Sequence, residues 1–114
     1  MGDLQKTNSQ ADIVELASQE VYSIGHYGRL HRDYLKSHRP VLYLAMLQSG
    51  RLWAYLAELD RQAHMRVEFW VRQMGAQKGI TEALKAHKPM AWVGKMENVR
   101  AQAEELVFDE LIYR

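Results

Sequence analysis

The chain has no cysteine. Disulfides, thiolate metal sites and cysteine nucleophiles are therefore excluded together, and a reducing compartment is the natural setting. Proline occurs twice, at Pro40 and Pro89. β-Branched residues are few and no stretch sustains the apolar–polar alternation of a strand. No apolar run approaches the roughly 20 residues that cross a bilayer. The opening MGDLQKTNSQ lacks the basic-then-apolar order of a secretory signal. These absences lead us to expect a cytoplasmic, all-α protein with no membrane association.

What remains is helical in its spacing. Asp12 and Glu15 stand at capping-box spacing before Ile13, Leu16 and Ala17, so residues 1–24 read as a flexible or marginally helical segment. Residues 25–114 read as the helical domain. Within it, Tyr27, Leu30, Tyr34 and Leu35 suggest a short helix over 27–37, ended by Pro40 just beyond. VLYLAML is apolar throughout and suits a restart after that proline. Ser49 is expected to cap the next helix. In that helix Leu52, Leu56, Leu59, Ala63, Val67, Trp70 and Met74 share one face, and Arg51, Glu58, Arg61 and Arg72 take the other. Gly75 and Gly79 are expected to close it. Thr81 caps TEALKAH, and Pro89 opens a last helix with a stripe of Trp92, Met96, Val99, Ala103 and Leu106, widened by Val107 and Leu111. The expected fold is a small helical bundle. Its two long amphipathic helices lie antiparallel, and short N-terminal helices cover one side. Trp53, Trp70 and Trp92 are read as core, with a homodimer as a further way of burying such surface.

Net charge is +1 over 114 residues, but unevenly spread. Residues 1–24 carry Lys6 against four acids, and residues 101–114 carry Arg114 against four more. The middle, 25–100, carries 13 Lys and Arg against 6 acids, or +7. The extreme is GHYGRLHRDYLKSHRP, residues 25–40, where Asp33 is the sole acid. On a helix Arg29, Arg32 and Lys36 share a face and Arg39 follows it. Tyr34 is expected at its edge. Such a set of cations suits adjacent phosphates. The five residues are the expected contact site for DNA or a nucleic-acid-processing protein.

Catalytic and metal chemistry find little to stand on. His31 and His38 are seven residues apart, roughly 10 Å along a helix axis, too far for one ion with bonds near 2 Å. Asp60, His64 and Glu68 form an i, i+4, i+8 array, yet no nucleophile accompanies them. The acidic turn Glu104–Glu110 lies near a helix C-terminus, where the dipole disfavours negative charge, so its partners are expected to be cations such as Arg29 or Arg32. No glycine-rich phosphate loop occurs. The expectation is a protein that is not an enzyme, with no cofactor and no metal.

Four stretches together resemble one family. GHYGRLHRDYLKSHRP is followed by LYLAMLQSGRLWAYLAELDRQAHMRVE, then GITEALKA, then MAWVGKMENVRAQAEELVFDELIY. From Gly25 to Tyr113 the chain resembles the TnpV family, small proteins encoded on transposons and conjugative elements. The order LxxSGxLxxYLAxLDxxA, then ITEALKA, then WVGxMxxVRAxAEE is specific to it. Met65 stands where a more polar residue is expected. The resemblance implies an accessory protein of a mobile genetic element and brings no functional residues to transfer. Two roles arise as expectations: a DNA-binding factor that modulates recombination or excision, or a protein-binding inhibitor of a host nucleic-acid enzyme, such as an anti-CRISPR acting on a CRISPR nuclease.

Overall fold

Two prolines and two glycines decide where helices begin and end. The computed structural model describes residues 24–114; the expected helical turn around Asp12 and Glu15 lies outside the described residues. Helix α1 spans His26–His38 and α2 spans Pro40–Gln48. Between them Arg39 has φ −136° and ψ 59°. A residue before proline is driven out of the helical region, so one helix stops and the next starts within a single residue. Lys88 before Pro89 repeats the device at φ −138° and ψ 71°, dividing α4 (Glu82–His87) from α5 (Pro89–Val107). Between these pairs runs α3, Leu52–Gln77. All secondary structure among the described residues is helical, with no strand.

Gly50 and Gly79 have positive φ, 75° and 66°, a conformation that glycine enters without steric cost. Each sits just past a helix end and makes the same pair of back-bonds. Arg51 N donates to Met46 O at 3.0 Å and Gly50 N to Leu47 O at 3.2 Å. Ile80 N donates to Gly75 O at 2.9 Å and Gly79 N to Ala76 O at 3.3 Å. Both are Schellman closures, which satisfy carbonyls that a helix end otherwise leaves open. Two local expectations change accordingly. Ser49 ends α2, its hydroxyl donating to Met46 O at 3.1 Å, and does not cap α3. Gly75 lies inside α3, and Gly79 alone supplies the left-handed residue. Thr81 does cap α4, accepting from Leu84 N at 3.1 Å.

The described residues divide into two compact units inside α3, after Asp60. In the first, Leu35, Tyr43, Leu52, Trp53 and Leu56 form a buried cluster edged by Ile24, Met46 and Leu47. Each comes from a helical face that repeats every three or four residues, which is how α1, α2 and the start of α3 contribute to one core.

In the second unit the buried residues include Ala63, Val67 and Val71 of α3, Val99, Ala103 and Val107 of α5, and Ile112. Val71 takes the inward position expected for Trp70, which is half-buried. The expected stripe also misplaces Leu106, which is 37% exposed while Val107 is fully buried. After Val107 the chain makes a π turn over Phe108–Ile112, where Tyr113 N donates to Phe108 O at 2.8 Å. A π turn holds an extra residue. The inward step after Val107 is therefore five, to Ile112. Polar pairs tie α3 and the turn after it to α5 and the π turn: Arg66 to Glu110 at 3.0 Å, Glu68 to Arg100 at 3.2 Å, and Lys78 to Gln102 at 2.8 Å.

Candidate functional site

Tyr27, Gly28, His31 and Leu35 are the buried face of α1. At about 100° per residue, Arg29, Arg32 and Lys36 fall within roughly 60° of one another on a flank of that face. The helix thus brings three of the five expected contact residues together. Tyr34 is placed on the other flank, about 140° or more from each of them. Its ring stacks on His38, centroids 4.6 Å apart and planes 17° apart, and lies 6.3 Å from His31. A tyrosine at the edge of the cationic face is therefore not what the helix provides. Arg39, at the break before α2, is exposed.

The cations are held in different ways. Arg29 is exposed and its Nη1 donates to Ile24 O at 3.2 Å. Arg32 is mostly covered, with its side chain 17% exposed, and its Nε pairs with Asp33 Oδ1 at 3.2 Å. Lys36 Nζ stands 5.3 Å over the Tyr43 ring, a cation–π contact that fixes the ammonium at the junction of α1 and α2. Between residues 25 and 57 the sequence has five cations, the fifth being Arg51, against Asp33 alone. Four of these cations lie on α1 or at its end, while α2, PVLYLAMLQ, carries no charge.

Beneath this surface lies a polar framework that spacing alone did not reveal. Gly28 N donates to Asp60 Oδ1 at 2.9 Å. Gly28 is the third residue of α1, so Asp60 satisfies one of the free amides at that helix's start. His31 Nε2 and the Tyr55 hydroxyl share a hydrogen bond of 2.9 Å. Burial pushes the Tyr55 phenol above its ordinary value and the Arg39 charge pulls it part of the way back. The only legible signal of this framework was the spacing that puts Gly28 and His31 on one face with Tyr27 and Leu35.

The α3 charge array and the acidic turn near the C-terminus make contacts of their own. Asp60 is the α1 partner just described, and Glu68 pairs with Arg100. Glu110 meets Arg66, and Arg66 also lies 4.9 Å from the Phe69 ring and 5.1 Å from Trp70. Among the described residues no group of three His, Asp or Glu side chains is arranged to hold a metal ion. Nor is any described helix long and apolar enough to cross a membrane.

Residues 10–112 match a family model described as transposon-encoded protein TnpV. No curated protein and no solved structure matches the chain.

Proposed function

The chain belongs to the TnpV family of transposon-encoded proteins, and from that premise we propose that it is a non-catalytic accessory protein that grips DNA during recombination or excision of its element. The grip is electrostatic. Arg29, Arg32 and Lys36 project from one flank of α1, Arg39 follows at its end, and phosphates of one duplex are the ligands.

One observation supports this reading above the others: three cations lie within a single narrow arc of a 13-residue helix, in a segment whose sole acid is Asp33. Arg29 and Lys36 are exposed on this arc, and Arg32 joins them by exchanging its pairing with Asp33 for a phosphate. Three or four phosphate contacts imply that affinity falls about 40-fold to 150-fold between about 50 and 200 mM salt. Contacts of this kind position a protein on DNA without reading its sequence.

Mobility shift at low salt tests the proposal, with duplexes from the ends of the element and an unrelated duplex. Binding to both, weakened by Arg29→Ala, Arg32→Ala and Lys36→Ala in turn, is the expected result. Absence of binding to every duplex would remove the reading.

A further inference from the structure

The two proline breaks repeat one another. LKSHRP, residues 35–40, and LKAHKP, residues 84–89, agree at four of six positions, and Arg39 and Lys88 differ without a change of charge. The copies are alike in space as well. Arg39 N donates to Leu35 O at 2.9 Å and Lys88 N to Leu84 O at 2.7 Å, with both break residues in the same backbone conformation. Lys36 Nζ stands 5.3 Å over the ring of Tyr43, and Lys85 Nζ stands 4.7 Å over the ring of Trp92, seven positions later in each copy. The residue after each proline is open to solvent, Val41 at 82% and Met90 at 81%. Each compact unit holds one copy.

Folding explains only part of this likeness. Proline ends the first helix of each corner, and the lysine–aromatic contact ties that helix to the second. Neither needs a cation at the break itself. Neither needs acids to be missing, yet residues 34–47 and 83–96 contain no Asp or Glu. Lys85 and Lys88 are exposed, and among the described residues no carboxylate pairs with either.

We propose that the Lys85–Lys88 corner is a second DNA contact, equivalent to the Lys36–Arg39 corner, in which Lys85 and Lys88 each meet a backbone phosphate. This contact rests on DNA being the ligand of α1, and it adds a site on the second unit. A duplicated cationic element suits a ligand that is itself repetitive. A duplex carries one charge per about 1.7 Å of its axis, so each copy of the element finds the same counterpart. A folded protein partner presents two like acidic sites only where it is itself a repeat or a symmetric dimer.

The salt dependence of duplex binding by the full chain tests the second site. Lys85→Gln and Lys88→Gln together should flatten the slope of log affinity against log salt by about 1.8, and Lys88→Gln alone by about 0.9. Arg at both positions should keep the parent's slope, because the charge is retained. Far-ultraviolet dichroism should be unchanged throughout. A double Gln variant with the parent's slope overturns the proposal, and α1 stands as the DNA contact if its own triple Ala variant still flattens the slope. An Arg variant flattened as much as the Gln variant overturns it too, since the lysines would then act through the fold. Absence of duplex binding by the parent chain removes both sites together. Lys88-dependent binding to poly-L-glutamate, with a duplex slope indifferent to Lys88, would assign the corner to an acidic protein and overturn the proposal as well.

Discussion

The amide of Gly28 donates to Asp60 Oδ1 at 2.9 Å across 32 positions of sequence. This bond fixes the start of α1 to the middle of α3 and explains two glycines at once. A Cβ on Gly25 would stand 2.9 Å from Asp60 Oδ2. One on Gly28 would stand 3.1 Å from Leu56 O and 2.5 Å from Ile24 Cγ2. The helix that carries the cations can approach α3 this closely because those side chains are missing.

Gly28→Ala should therefore destabilise the chain by about 1–3 kcal/mol through overpacking against backbone. Asp60→Ala should cost about 1–3 kcal/mol by leaving a buried amide unpaired. Because both act on one contact, the double variant should lose less than the sum. Thermal unfolding midpoints measure all three, and an unchanged midpoint for Gly28→Ala would contradict the packing described.

Glycines elsewhere should respond in opposite directions. Gly79 has φ 66°, so Gly79→Ala forces an L residue into the left-handed region and should cost about 1–2 kcal/mol. Gly75 and Gly94 lie inside helices with no atom within 4 Å of an added Cβ. Alanine at either position should stabilise by about 0.5–1 kcal/mol. Chemical denaturation of the three single variants would show the split in sign.

How far the sequence could be read depended on whether the deciding force was local. Proline and periodicity act within a turn or two, so the ends of α1 and α2, the Thr81 cap and the inward face of α3 up to Val67 were all legible. Asp60 was read only against its neighbours on α3, because its bond to Gly28 spans 32 residues of sequence. Val107 follows Ala103 by one ordinary turn, but Ile112 stands inward where Leu111 was expected because of a π turn that periodicity at 3.6 residues does not anticipate. In the candidate site, the shared flank of Arg29, Arg32 and Lys36 followed from spacing alone. The position of Tyr34 was equally a matter of spacing, and its pairing with His38 at i+4 was the clue to its true side. The exposure of α2 was not legible, because an apolar run gives no sign of whether tertiary structure covers it.

Tyr55 should make stability sensitive to alkali. Its phenol titrates above the ordinary 10.0 in the fold because burial disfavours the charged form. The folded state therefore holds this proton more tightly than the unfolded state. Its contribution is complete below pH 10.0 and is lost as pH rises through the higher folded value. Tyr55→Phe should lose about 1 kcal/mol at neutral pH with the His31 bond, and should show a flatter decline above pH 10 in urea midpoints than the parent chain does.

Arg66 gathers Glu110, Phe69 and Trp70 around one guanidinium. Removing only the ion pair by Glu110→Ala should cost about 0.2–1 kcal/mol, as exposed pairs do. Arg66→Ala also strips two aromatic faces and should cost about 0.5–2 kcal/mol more. Arg66→Lys should recover little of that, because an ammonium lacks the planar stacking surface. The order of the three unfolding midpoints checks the assignment.

The slope of log affinity for duplex DNA against log salt concentration measures the cationic flank of α1 directly. Each phosphate contact contributes about 0.9 to that slope. Replacing Arg29, Arg32 and Lys36 together with Ala should flatten it by about 2.7, with the far-ultraviolet dichroism unchanged. A triple variant that binds DNA with the parent's slope would place the contact elsewhere and contradict the account.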